Sequence, residues 1–448
     1  MTTVTCCHTI VPSEDTPNVR WRLSEIDQMQ PLKHTLSVYV YKPNPDIATT
    51  TPPIQAMIDS LSKILVYYYP LAGRLHWAQS THDRLELHCN AMGVKLFEAE
   101  SQAKLADYAD FETDAVRDLV PKFDYENSPI EEWPLLLVQL TRLSCGGFCV
   151  GVASSHVALD GWAAIQFVKL WGKMARGQSL DPQEIPFHDR IFLKPSEPRV
   201  PPRYDHSEYK KPPPVLGCVD SKEEQKKETR VAMLKLTSDQ VLKLKNKANE
   251  GLQTASARPY SRYEAIAAHV WRCACRARQG NEAHQPTVVR MMSDIRNRWK
   301  PPIPLNYSGN TVLLTLTPVS TYEEIMGNPL SYGAQKIRDG VQTLTNDYCR
   351  SSLDFVASQE KVDWLRIGSV GSNFYGNPNM SIVSWINLPV YDTDFGWGKP
   401  LRMVPVMRDG DGKSFIMPTP DGDGSLILAL RLQTLHMEAF KKFFYQDI

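Results

Sequence analysis

The sequence predicts a mixed α/β protein built as two domains, and three observations carry that prediction. The 448 residues are too many for one compact core and suit two units of about 200 residues each. Stretches of period-two apolar alternation are interleaved with stretches of helical periodicity along the chain. Near the middle, residues 195–214 hold Pro195, Pro198, Pro201, Pro202, Pro212, Pro213 and Pro214 among charged residues, which favours an extended, semi-rigid connection.

Taken in order, Thr35-Leu36-Ser37-Val38-Tyr39-Val40-Tyr41 is β-branched and aromatic and reads as a strand. Ile54, Met57, Ile58, Leu61, Ile64 and Leu65 form a helical stripe, ended by Pro70-Leu71-Ala72-Gly73. Residues 85–89 and 148–153 alternate as strands, and the second runs into Ser154-Ser155-His156-Val157-Ala158-Leu159-Asp160-Gly161 before an amphipathic helix over 162–175. Beyond the prolines, a strand at 231–236 leads to Thr237 or Ser238, which caps a helix reaching Ala248. A helix over 262–278, strands near 287–292 and 310–316, one long helical stretch near 332–364, a strand at 380–388 and a closing hairpin complete the expectation. Two turn clusters, Asp409-Gly410-Asp411-Gly412 and Asp421-Gly422-Asp423-Gly424, flank that hairpin.

Composition removes several classes. Lys plus Arg and Asp plus Glu both number 50, so the formal net charge is zero, which argues against a nucleic-acid backbone binder. No apolar run nears the ~20 residues that span a bilayer, and residues 1–20 lack a basic stretch followed by an apolar core. The nine cysteines show no zinc-finger spacing, so reduced thiols in a cytoplasmic protein and no metal site are expected. There is no Gly-x-Ser-x-Gly elbow, Met407 breaks the phosphate-loop pattern before Gly412-Lys413-Ser414, and no His-Glu-x-x-His occurs.

His156 and Asp160 at a strand end are what remains for chemistry. A packed histidine with an Asp capping the next helix fits that spacing, and so does a base that works near neutral pH. Asp394-Phe395-Gly396-Trp397-Gly398 reads as a turn tied by its carboxylate and filled by rings. Trp385 reads as a strand residue whose indole N–H could donate into a cavity.

Together, His156-x-x-x-Asp160-Gly161 and Asp394-Phe395-Gly396-Trp397-Gly398 resemble the two signatures of the plant BAHD acyltransferases. Tyr69-Pro70-Leu71-Ala72-Gly73-Arg74, Asp294-Ile295-Arg296-Asn297-Arg298, Pro301-Pro302 and Tyr307-Ser308-Gly309-Asn310 extend the resemblance over most of the chain. Within the family the chain is most similar to spermidine hydroxycinnamoyl transferases. This rests on Arg262-Tyr263-Glu264, 269–275, Phe374-Tyr375-Gly376-Asn377-Pro378-Asn379 and 436–442.

The resemblance implies two similar chloramphenicol-acetyltransferase-like domains with a channel between them. It suggests an N-terminal domain at 1–190, a crossover linker at 191–228 and a C-terminal domain at 229–448, with a late segment near 370–400 packing back onto the first. It makes His156 the general base of a direct transfer from acyl-CoA, a co-substrate and not a bound cofactor, and Trp385 an oxyanion donor. Asp160 and Gly161 become architectural, with Arg296 or Arg298 as the partner of Asp160, and Asp394, Gly396 and Gly398 a distant scaffold. His34, Thr35, Ser37, Tyr39, Val370, Val383 and Ser384 would line the acyl and acceptor channel. Ser261, Asp294, Arg296 and Arg298 would meet coenzyme A.

The expected partners are therefore hydroxycinnamoyl-CoA and a polyamine, acting on a monomer. Shikimate and quinate transferases carry an Arg and a Thr where this chain has Val370 and Val383, which disfavours a carboxylate acceptor. Tyr307-Ser308-Gly309-Asn310-Thr311 departs from the malonyl-transferring pattern, and Ala163 stands where many relatives have Ser. A cationic polyamine should want carboxylates around it. Rival readings are another amine or an alcohol as acceptor, a non-catalytic binding protein, and a thioester hydrolase.

Overall fold

The computed structural model describes residues 2–43, 54–79, 83–108, 114–218, 222–251, 258–278, 282–368, 373–407, 410–446 and 448. The strand that delivers the histidine, Phe148–Ser154, is buried at every position because antiparallel strands flank both its edges, Leu136–Leu143 and Thr35–Tyr41. It belongs to a six-stranded sheet ordered Thr2–Ile10, Val94–Ser101, Leu136–Leu143, Phe148–Ser154, Thr35–Tyr41, Arg402–Pro405. Only Val94–Ser101 and Leu136–Leu143 run parallel. Both faces are covered, which explains the near-continuous apolar run at 148–153. Tyr39, Tyr41, Val150 and Val152 share a core with the helices Ile54–Tyr67 and Gly161–Ala175, while Val38, Val40 and Cys149 pack with Leu119 and Val120.

A second six-stranded sheet follows the order Val312–Leu316, Val289–Asp294, Met380–Ser384, Lys413–Pro418, Leu426–Gln433, Thr229–Leu236. Its two central contacts are parallel. Met291, Ile382, Ile416 and Leu430 point to the side covered by Arg262–Arg278, Leu330–Gln342 and Thr434–Gln446. The opposite side faces the first sheet's core: Met417 and Ala429 are counted in that core, with Phe415 and Met233 packed on it. The protein is thus two sheet-rich domains, and the site lies where they meet.

Several expectations change. The helical stretch near 332–364 is two helices, Leu330–Gln342 and Asn346–Ser358, because Thr345 is extended and its side chain caps the second by accepting the Tyr348 N–H. Trp364 lies in a separate short turn, Asp363–Leu365. The strand expected over 380–388 ends at Ser384, so Trp385 stands just past it, its N–H on the Ile416 carbonyl at 2.8 Å, before a turn toward Pro389.

The 370–400 segment divides. Met380–Ser384 is hydrogen-bonded inside the second sheet, whereas Val390, Tyr391 and Phe395 join the first core ahead of Arg402–Pro405. Val370 lies outside the described residues, as does Asp409 of the first turn cluster. Residues 421–424 close the hairpin, with Gly422 and Gly424 at positive φ. Thr2–Ile10 was not anticipated, since most of its residues are exposed and no apolar alternation marks it.

Candidate active site

His156 leaves the end of Phe148–Ser154 in the turn before Gly161–Ala175 and is half-buried. Its Nδ1 is 3.1 Å from Asn310 Oδ1. The amide nitrogen of Asn310 donates to the His156 carbonyl at 2.8 Å and to Asp27 Oδ1 at 2.7 Å. Both partners are pure acceptors, so the amide can face the ring only with its oxygen, and Nδ1 must carry the proton. Nε2 is left with the lone pair. Asp27 is held in turn by the Ser24 N–H and hydroxyl and by Arg190 at 3.5 Å. Arg190 also donates to the carbonyls of Ala158 and Ser308, tying both loops of the site together. Burial pushes the imidazole below its ordinary value, Lys413 pushes the same way, and Asp160 and Asn310 oppose them. A neutral, oriented base is the result. Sequence reading assigned Asn310 and Asp27 no role, because 154 and 283 residues separate Asn310 from its two partners.

Asp160 does something else. It caps its helix by accepting the Ala163 N–H at 2.9 Å, pairs with Arg296 at 2.9 Å, and accepts from the N–H and hydroxyl of Thr311, both at 3.1 Å. Arg296 is 1 % exposed and also pairs with Asp294. Of the two arginines expected for coenzyme A, Arg296 is therefore enclosed as the partner of Asp160. Arg298 donates to the carbonyls of Val341 and Leu344 at the end of the Leu330–Gln342 helix. Arg296 is thus not free to meet phosphates, whereas Arg298 is half-buried and spends only its Nη1 on these carbonyls. Ser261 forms a capping pair with Glu264.

Trp385 stands opposite the start of the helix. A Cβ built on Gly161 would lie 3.9 Å from its Nε1, which has no hydrogen-bond partner among the described residues. Its ring rests on Phe415 at 4.7 Å, and Phe415 receives the Lys413 ammonium at 5.6 Å. Val383 pairs with Phe415 on the same face, whereas Ser384 is exposed.

Of the remaining channel residues, Thr35 is opposite Ser154 at the strand end and Ser37 is half-buried one pleat further in. Tyr39 is enclosed at 1 % exposure. His34 is occupied as well, with Nδ1 2.7 Å from the Tyr125 hydroxyl and Nε2 2.6 Å from the Pro134 carbonyl. Tyr39 belongs to the first core, since the inner half of Thr35–Tyr41 is buried.

The carboxylates a polyamine would want are not what surrounds Phe415. Lys413 is there instead, and burial, then Arg290 and Arg431, brings its ammonium down to about 8. For a metal, Cys6 and His8 on Thr2–Ile10 and Glu98 on the neighbouring Val94–Ser101 are the one trio close enough together among the described residues. All nine cysteines are free thiols, and no helix among the described residues is long and apolar enough to cross a membrane.

Asp394 ties a turn: its Oδ1 accepts the N–H of Gly396 at 2.7 Å and of Gly398 at 2.9 Å, both glycines at positive φ. Phe395 packs on Trp171 and Trp397 on Phe148, against the far end of the Gly161–Ala175 helix, which at 15 residues is about 22 Å long.

Two sheet-rich domains meeting at an oriented, strand-end imidazole are the architecture of an acyltransferase. Comparison with known proteins agrees. The sequence model of the Transferase family matches residues 1–447. Hydroxycinnamoyl-CoA:piscidic acid hydroxycinnamoyltransferase of Actaea racemosa is 45% identical over 448 residues, covering 98% of each chain. Shikimate O-hydroxycinnamoyltransferase of Nicotiana tabacum is 39% identical over 443 residues, 97% of each. In fold, F. graminearum TRI101 complexed with coenzyme A and T-2 mycotoxin superposes with a TM-score of 0.79 at 18% identity, covering 94% of this chain and 97% of that one. The chain is an enzyme of the Transferase family, the plant BAHD acyltransferases.

Proposed function

We propose that the protein moves a hydroxycinnamoyl group from its coenzyme A thioester to a hydroxyl or amine of a small acceptor, in one direct step with His156 Nε2 as general base. The observation that carries this is the Asn310 amide, which fixes the proton on Nδ1 and leaves Nε2 basic. The acceptor's O–H or N–H gives its proton to Nε2 as the heteroatom attacks the thioester carbonyl. The resulting oxyanion takes a hydrogen bond from Trp385 Nε1, which has no partner among the described residues. The C–S bond then breaks, and the imidazolium returns the proton to the departing thiolate. Thr35 and Ser37 line the way in. Asp160 holds the turn and moves no proton.

The hydroxycinnamoyl donor is supported by the two relatives, both named for that group. A spermidine acceptor is supported by the sequence segments at 262–275 and 374–379, and is opposed by the cations at Arg290 and Lys413. The acceptor is accordingly proposed as an amine or an alcohol.

Release of free coenzyme A from p-coumaroyl-CoA tests the reading, with spermidine, shikimate or no acceptor. Release should depend on acceptor and fall by about 10²- to 10⁴-fold in His156→Ala. Unchanged turnover in that variant would sink the mechanism. Equal release without acceptor would make the protein a hydrolase.

A further inference from the structure

The second sheet carries an unusual row across its inner face. Arg290 is in register with Ser381, Ser381 with Lys413, and Lys413 with Arg431, on four neighbouring strands. Directly paired residues point to the same side of a sheet, so these side chains stand on the face that bears Val383 and Phe415. Arg431 is engaged by the carbonyls of Thr229 and Met407. The other two cations are less satisfied. Lys413 has no hydrogen-bond or carboxylate partner among the described residues; its contact is the Phe415 ring. Arg290 donates one bond, to Ser381 Oγ at 3.2 Å, and lies over the Tyr375 ring at 4.6 Å, with no carboxylate partner among the described residues. Burial lowers both groups' affinity for their protons, and Arg290 lowers that of Lys413. Both side chains are half-buried, and partly desolvated like charges on one face with no counterion among the described residues cost stability, so their placement calls for an anion.

We infer that Arg290 and Lys413 form a carboxylate-binding subsite of the acceptor pocket, so that the acceptor is a hydroxy or amino acid. This rests on the proposed transfer at His156. The geometry supplies the reach. Lys413 lies three residues before Ile416, whose carbonyl holds the Trp385 N–H, a separation of about 10 Å along the strand. An acceptor of modest size can set its carboxylate on the cations while its nucleophile meets His156. Phe415 and Val383 form the apolar wall between. Beside Arg290 opens a small cleft of about 20 Å³, lined by Leu314, Ile367, Asn373 and Tyr375. Its carboxylate, Glu208, is held by His206 at 2.8 Å and by Tyr348, so it does not neutralise the pair.

The test compares shikimate with methyl shikimate, and L-malate with its dimethyl ester, using p-coumaroyl-CoA and the full chain. At least one acid should show a KM about 10- to 100-fold below that of its ester, the scale of a charge-assisted hydrogen bond. Lys413→Leu and Arg290→Gln should each erase that difference, Lys413→Arg should keep it, and the KM for p-coumaroyl-CoA should not move. Equal use of acid and ester by the unaltered protein would overturn the inference, as would variants that keep the preference. A rise in the thioester KM instead would assign the cations to coenzyme A phosphates. Calorimetric titration of each acid separates this inference from the transfer reading. Carboxylate-dependent binding that Lys413→Leu abolishes, without turnover, keeps the subsite and sinks the transfer; turnover without carboxylate preference does the reverse. Binding of neither acid overturns the subsite.

Discussion

An imidazole can act as a base through either nitrogen, and at His156 a neighbouring amide makes the choice. Asn310 does so without touching substrate in the proposed reaction, which makes it a positioning residue whose effect is on proton affinity. Burial already holds His156 below the usual histidine value near 6.5, and the Asn310 bond partly offsets that. The base is neutral and active above its folded-state pKa, and activity is lost as pH falls through it. Removing the bond lowers that pKa further. Asn310→Ala should therefore shift the acid limb of kcat/KM to lower pH while kcat drops by about 10- to 100-fold, a part of the full general-base effect. A variant that lost activity only by loosening the fold would lower the rate without moving the limb. None of this could be read from sequence. His156 was found there as one of two residues in a loose spacing, and the resemblance, not the spacing, raised it above a packed histidine. The relay through Asn310 and Asp27 exists only after three distant segments meet.

At the scale of elements, the Gly161–Ala175 helix is held at both ends by groups from the other half of the sequence: Arg296 and Thr311 at Asp160, and the Asp394 turn at Gly172 and Arg176. Gly172 decides how close that turn can come. A Cβ there would sit 2.6 Å from the Asp394 carbonyl oxygen, and that atom is backbone and cannot swing away. Alanine would gain about 1 kcal/mol of helix propensity over glycine. Forcing the chains apart costs about 1–3 kcal/mol. Sterics should win, and Gly172→Ala should lower the urea midpoint at unchanged m-value; a rise in midpoint would show that the turn yields. This level was partly legible. The Thr35–Tyr41 strand was readable from its β-branched and aromatic residues, and the Ile54–Tyr67 helix because the apolar stripe at Met57, Leu61, Ile64 and Leu65 is the face that is buried. The break at Thr343–Thr345 was not, since the apolar pattern continues across it while Thr345 turns outward to cap. Trp385 was misplaced by one position because the strand ends where its partner's pairing ends, at Ile416, which no local pattern marks.

For the molecule as a whole, the two domains cannot be independent folding units with a site added between them. The last strand of the first sheet, Arg402–Pro405, comes from beyond residue 400 and covers the edge of Thr35–Tyr41 over Ser37 to Val40. Without it, that apolar edge would present unpaired backbone groups, which invites association with other chains. The proline-rich connector marked a division in sequence but could not show that a late segment crosses to the first sheet before the chain returns to the second. A chain cut within 195–214 tests this. Residues 1–204 alone should be produced mainly as aggregate, because they lack Arg402–Pro405 and the rings of Phe395 and Trp397 that pack on Trp171 and Phe148. Any soluble fraction should release no coenzyme A dependent on acceptor, since Asn310, Trp385 and the whole second sheet are absent. Producing the two pieces together should restore both properties, as the partner brings the missing strand and the amide at once. A soluble, monomeric N-terminal piece with acceptor-dependent turnover would show instead that the imidazole and its own domain suffice.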